Sequence, residues 1–252
     1  MIGTHRVAVK ADYRFARTPC LSTAKPRESK HFFHIFAGRA MSAPRNAKNS
    51  PQGLLLASSS RYRRVLLERL GLPFETASPD IDETRHSGES AQALVQRLAA
   101  EKAAALAQHY PNHLIIGSDQ VASLDDQVLG KPGSIDKAEA QLARLSGQTV
   151  HFYTGLALLN SQTLAVQVEL DTTAVEFREL SGPEISAYVA RETPLDCAGS
   201  FKSEGLGVAL FEGITTADPA ALIGLPLVLL CNMLRAEGMD PLGRPVRVPE
   251  TI

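Results

Sequence analysis

The residues most able to do chemistry fall in three stretches. Asp119 follows the apolar run HLIIGS (113–118), where a short strand should end. A carboxylate in such a place can take a proton from water or hold a divalent metal. Asp80, Asp82 and Glu83 close another extended segment, and two such ends could meet in one cleft. The competing reading makes these acids turn residues. The second stretch is ASSSRYRR (57–64), in which a strand runs into serines and then into a helix with arginines in its first turn. A helix start offers free backbone N–H groups and a positive dipole. Arg63 and Arg64 would add bidentate donors for phosphate. The plainer alternative is a serine N-cap followed by solvated arginines. The third stretch is Gly130-Lys131-Pro132, taken with Lys102 and Lys202. Lysines beside carboxylates suit a polyphosphate with a metal, although a single lysine is usually a surface group.

Two other candidates are rejected. SEGLGVAL lacks the third glycine of a dinucleotide fingerprint, and GxxxxGK[ST] is absent. Cys197 in DCAGS has no histidine partner in view, so it reads as a small buried thiol.

The elements that must position these groups alternate between strand and helix. Gly53–Ala57 reads as a buried strand and Arg61 to Leu70 as a helix with one apolar face, stopped by Gly71. Pro73 to Glu83 looks extended. Ser90 caps a helix to His109, with Leu94, Val95, Leu98, Ala105 and Leu106 on one face. A strand over 113–121 is followed by a turn at LDDQ and a helix over 135–145. Two β-rich runs, 149–160 and 163–177, flank NSQ as a hairpin. Ser181 and Glu184 match a capping box opening a helix to Ala190. Residues 197–212 look strand-like, and 225–237 form the last helix. This pattern predicts an α/β fold with a mixed sheet.

Composition sets the outer bounds. The chain has 252 residues, 44% hydrophobic and 21% charged, which suits one large or two small globular domains rather than disorder. Its longest nearly unbroken apolar run, Ala220–Cys231, has 12 residues and contains Gly224 and Pro226. A membrane helix needs about 18–20, so none is expected. The net charge of −1 argues against a generally basic nucleic-acid binder, and no stable nucleic-acid partner is expected. Residues 1–50 carry 10 Lys+Arg against 2 Asp+Glu, a net of +8. This segment reads as a basic leader, either a transit peptide or nucleic-acid arm, or sequence upstream of a true start at Met41. His31 and His34 within it make a weak metal pair. Residues 51–243 are expected to form the folded domain and 244–252 a tail. Three cysteines with no CxxC spacing suit reduced thiols in the cytoplasm.

Taken in order, LLLASSSRYRRVLLERLG, DIDET, LAAEKA, LIIGSDQV, GKP, FYTGLAL, CAGSFKSEGLG and LIGLPL resemble the Maf family of nucleotide pyrophosphatases. Each is weak by itself, but eight in unbroken order from Leu54 to Leu242 are specific. The resemblance implies two lobes on an elongated mixed β-sheet flanked by helices, with a nucleotide in the cleft between them. It implies hydrolysis of a nucleoside triphosphate between its α and β phosphates, with Mg²⁺ or Mn²⁺. Asp119 matches the proton acceptor that activates water. Ser58, Arg63, Lys102 and Lys131 match phosphate-binding positions, and Glu83 with Asp119 the metal-binding ones.

Tyr62, Gln120 and Glu204 match positions that set base choice, and they look like the branch acting on 7-methyl-GTP. The branch acting on dTTP and UTP usually has Thr, Arg and Gln at the positions of Gln120, Tyr62 and Glu204. A 7-methylated guanine is cationic, and an aromatic face such as that of Tyr62 attracts it by about 0.5–2 kcal/mol. Glu204 could accept the N1–H and amino edge of guanine. Two departures are Arg61, where the family usually has Pro, and Tyr62, where relatives carry Trp. Arg61 would add charge near the phosphate end. The alternatives are the same chemistry on dTTP or UTP, or a nucleotide-binding regulator of cell division without turnover. Whether the chain works alone or as a homodimer stays open.

Overall fold

Residues 53–243 are described here from a computed structural model of the chain. The expectations for the leader, including His31 and His34, and for the tail lie outside the described residues. The run GLLLA forms β1 (Gly53–Ala57), and Ser60 caps α1 (Arg61–Glu68) by accepting from the Arg63 N–H. Ser90 caps α2 (Ala91–Leu106) in the same way through the Ala93 N–H. Between them only β2 (Glu75–Ala77) pairs, so the extended stretch expected over 73–83 is mostly irregular. Pro73 and Pro79 bracket it and cannot donate to a ladder.

β3 (His113–Leu124) and β4 (Gln127–Leu129) form a hairpin turned by Asp125 and Asp126, with φ of 48° and 62°. Primed two-residue turns require such angles, and Asp tolerates them. Next come α3 (Ile135–Leu145), β5 (Thr149–Asn160), β6 (Val166–Phe177) and α4 (Gly182–Glu192). The Ser181–Glu184 capping box is present, with the Ser181 N–H donating to the carboxylate at 2.8 Å. β7 (Phe211–Thr215) and α5 (Leu227–Ala236) complete the domain.

The strand expected over 197–212 is instead two short 3₁₀ turns, and β7 begins only at Phe211. Gly199 and Ser200 lie at φ 76° and 59°, which no strand adopts. The N–H groups of Gly205 and Gly207 both converge on the Lys202 carbonyl, and a Cβ at Gly207 would lie 2.3 Å from that oxygen.

Seven strands make one mixed sheet in the order β2-β1-β3-β5-β6-β7, with β4 on β3. β1 pairs parallel to β2 and to the first part of β3, up to Leu56↔Ile116. The remaining pairs are antiparallel. Strand alternation then builds two cores on one face of β3 and β5. Leu114, Ile116, Leu156 and Leu158 pack with Leu66, Leu67, Leu230 and Leu234 of α1 and α5. Further along the same face, Ala122, Leu124, Val150 and Phe152 pack with Leu142, Leu145, Ile185 and Val189 of α3 and α4. Ser118, Gln120 and Thr154 interrupt the apolar alternation and leave a polar seam between the cores. The opposite face is covered by α2, through Ala99 and Ala103.

Arg97 of α2 fixes the approach to that helix. Its guanidinium donates to the Glu89 carboxylate at 2.7 and 2.8 Å, to the Thr84 carbonyl at 3.1 Å and to Glu101 at 3.0 Å. These bonds hold the Glu89 carboxyl down at about 2, below the usual 4.5. A depressed carboxyl stabilises the fold above its unfolded value, and that stability is lost as pH falls through the folded one. Glu89→Gln is therefore expected to flatten the acid limb of a stability–pH curve between 4.5 and about 2. Parallel curves for variant and wild type in acid unfolding would contradict this.

Candidate functional site

A cleft of about 660 Å³ opens over the polar seam. Ser58, Tyr62, Arg63, Glu83, Lys102, Asp119, Gln120, Lys131 and Glu204 all line it. They come from the β1–α1 junction, the loop before α2, α2, β3, the segment after β4 and the loop after α4. The sheet thus gathers onto one cleft all nine residues that the family resemblance marks as site, though not every acid, arginine and lysine that the motifs put forward.

Asp119 is not at a strand end, because β3 continues antiparallel to Leu124. It sits just beyond the parallel half of β3, which ends at Ile116 against β1. Alternation along β3 sends Asp119 toward α2 and Gln120 toward the seam. The Lys102 ammonium of α2 donates to Asp119 Oδ1 at 2.6 Å and lies 2.8 Å from Glu83 Oε1. Lys102 is 6% exposed and Asp119 8%, so this contact is shielded from water. The hydrogen bond from Lys102 holds the Glu83 carboxyl below the usual carboxylate range, against a partial desolvation cost, and the charges of Lys102, Lys131 and Arg63 add to the effect.

At the helix end of the cleft, Arg63 donates through Nε to the Gly224 carbonyl at 2.9 Å and through Nη1 to Ser58 Oγ at 3.3 Å. Ser58 Oγ also accepts the Ser60 N–H at 3.1 Å. Burial pushes the Arg63 guanidinium down, while Asp119 and Glu83 oppose that shift. Arg63 is thus oriented over the start of α1, beside the backbone N–H groups that a helix leaves open.

At the other end, the Gln120 side-chain amide donates to Thr154 Oγ1 at 2.9 Å and to the Ala221 and Leu222 carbonyls at 2.8 and 3.2 Å. Tyr62 is half-buried and Glu204 exposed, on segments from different cores. Arg61 lines the cleft as well and turns its guanidinium to Tyr62. Its Nη2 donates to the Tyr62 hydroxyl at 2.8 Å, which draws the guanidinium along the ring.

Several nominated residues lie elsewhere. Asp80 and Asp82 are exposed off the cleft, and Asp82 instead accepts the Thr84 N–H at 2.9 Å, a turn role. Arg64 points to solvent and pairs with Glu68 one turn on at 3.2 Å. The Lys202 ammonium donates to the Glu192 carbonyl at the end of α4, at 2.5 Å. Cys197 is half-buried on the cleft wall rather than fully buried as expected, and burial and Asp196 push its thiol up to about 12, away from the direction that a nucleophilic thiolate needs.

Sequence reasoning missed the supports. Ser118 Oγ donates to the Gly155 and Gly224 carbonyls at 2.9 and 3.0 Å, and Thr154 Oγ1 to the Ala221 carbonyl at 3.1 Å. The 218–224 segment therefore holds Arg63, Ser118, Gln120 and Thr154 through its carbonyls. The one available signal was a polar residue breaking the alternation on each central strand, Ser118 and Thr154.

A mixed sheet whose cleft gathers carboxylates, a buried lysine, arginines and a helix start defines an α/β protein with a charged cleft sized for a small molecule. The chain belongs to the Maf family: residues 53–237 match the family described as Maf-like protein. It is 58% identical over 190 residues to the 7-methyl-GTP pyrophosphatase of Chromohalobacter salexigens, covering 75% of this chain and 98% of that relative. No helix among the described residues is long and apolar enough to cross a membrane.

Proposed function

We propose that the protein is a nucleoside triphosphate pyrophosphatase that hydrolyses 7-methyl-GTP to 7-methyl-GMP and diphosphate. The observation that carries this reading is the convergence of Asp119 and Glu83 on Lys102, beside Arg63, in a cleft that also presents Tyr62 and Glu204. The relative named 7-methyl-GTP pyrophosphatase supports the base assignment.

Asp119 takes the proton of the attacking water, whose oxygen bonds to the α-phosphorus as the α–β anhydride bond breaks and diphosphate leaves. Lys102 fixes one oxygen of Asp119 and so orients the carboxylate. Arg63, Lys131 and Ser58 face the β and γ phosphates. Positioning and charge stabilisation supply most of the rate. No group of three or more His, Cys, Asp or Glu that could hold a metal occurs among the described residues, but Asp119 and Glu83 suit a hard cation that completes its shell with water and phosphate oxygens. A divalent ion there, Mg²⁺ or Mn²⁺, would neutralise phosphate charge and polarise the α-phosphorus. The role is to clear a modified nucleotide from the cytoplasmic pool before polymerases incorporate it.

Tyr62 and Glu204 set the base choice, the one through its aromatic face and the other through charge and two hydrogen bonds. Tyr62→Ala and Glu204→Gln are each expected to lower kcat/KM for 7-methyl-GTP about 3- to 30-fold more than for GTP. The test is diphosphate release from 7-methyl-GTP, GTP, dTTP, UTP and CTP with Mg²⁺ or Mn²⁺. Preference for dTTP or UTP would keep the reaction and overturn the base assignment. Binding without release from any of them would favour a regulator.

A further inference from the structure

Arg61 is the N-terminal residue of α1, next to Tyr62, and it has no part in the scheme above. Its guanidinium carbon stands 4.8 Å from the Tyr62 ring centroid while Nη2 donates to the hydroxyl at 2.8 Å. That distance is within the range of a cation–π contact. Asp196 and Glu204 line the same cleft from the segment after α4. The aromatic face expected to receive a cationic base therefore already carries a cation of the protein's own.

The geometry points to Arg61 as a specificity-determining residue: its guanidinium competes with a cationic base for Tyr62, so the chain discriminates less sharply for 7-methyl-GTP than the rest of the cleft would allow. This rests on the pyrophosphatase reading. A neutral guanine is little affected, because a guanidinium can stack on a neutral ring as well as on tyrosine. A methylated guanine meets both the lost aromatic face and like-charge repulsion.

The experiment is Arg61→Pro, with Arg61→Lys as the charge-retaining control. Pro suits the first helical position, so the fold is kept. The ratio of kcat/KM for 7-methyl-GTP over GTP is expected to rise about 2- to 10-fold in Arg61→Pro, through KM, and to stay near wild type in Arg61→Lys. In a Tyr62→Ala background the same replacement should leave the ratio unchanged. An unchanged or lowered ratio in the single variant overturns the inference, as does an equal loss on both nucleotides, which would mark Arg61 as a phosphate ligand. If wild type turns over neither nucleotide, the pyrophosphatase reading fails instead. Equilibrium binding of 7-methyl-GTP and GTP to wild type and Arg61→Pro then decides on Arg61 by the same ratio.

Discussion

Asp119→Asn is expected to leave a folded protein whose kcat for diphosphate release has fallen by about 10²- to 10⁴-fold, with KM nearly unchanged. The replacement keeps shape and keeps an oxygen to accept from Lys102, which donates to Asp119 Oδ1 at 2.6 Å. Glu83 remains at 2.8 Å from the same ammonium, so the buried lysine is not stranded. The melting temperature should therefore move by only a few degrees at most. The substrate's phosphates still meet Arg63 and Lys131, and Arg63 is held by the Gly224 carbonyl and Ser58 rather than by the carboxylate. The missing functions are proton acceptance from water, which an amide cannot perform, and the anionic charge of one ligand to a divalent ion, which saturating Mg²⁺ or Mn²⁺ in the assay offsets. A split between kcat and KM in steady-state kinetics tests this. Wild-type turnover in the variant would remove Asp119 from the chemistry, and a rise in KM alone would make it a binding group.

Much of this site could be read from residue order, and the reasons differ from part to part. Apolar runs such as GLLLA and HLIIG, and helix starts such as Ser90 and Ser181, obey local rules, so β1, β3, α2 and α4 were legible to within a few residues. The Lys102–Asp119 contact joins residues 17 apart on a helix and a strand, and only their shared place in an ordered set of motifs suggested it. The 197–210 turns were misread because their conformation follows from φ at Gly199 and Ser200 and from two N–H groups on one carbonyl, which hydrophobic pattern does not encode. The carbonyls of Ala221 and Gly224 could not be found at all from sequence, since a backbone acceptor carries no side-chain signal.

Gly117→Ala is expected to cost about 3 kcal/mol or more of stability, a fall in melting temperature of about 6–12 °C, and most of the activity of the molecules that remain folded. Gly117 faces α2, and a Cβ there would lie 2.0 Å from the Ala99 carbonyl oxygen and 3.0 Å from the Ala103 nitrogen. Both are backbone atoms and cannot rotate away. Gly155, across the ladder from Asp119, has the same relation to the helix, with its Cβ 2.1 Å from the Val95 carbonyl. The two glycines form a shallow seat that lets α2 approach the sheet more closely than any other residue allows. Lys102 lies three residues beyond Ala99 and Asp119 two beyond Gly117, so this approach sets the 2.6 Å contact between them. To admit a methyl group, α2 must lift by roughly 1 Å or more, which moves the ammonium off the carboxylate. Gly182→Ala is the matched control, because nothing lies within 4 Å of a Cβ there and the residue opens α4; it should change stability by less than about 0.5 kcal/mol. Thermal unfolding and diphosphate release, measured well below the variant's transition, separate the two effects. Unaltered activity in a destabilised Gly117→Ala would mean that the seat supports the fold alone, with Lys102 positioned by other contacts.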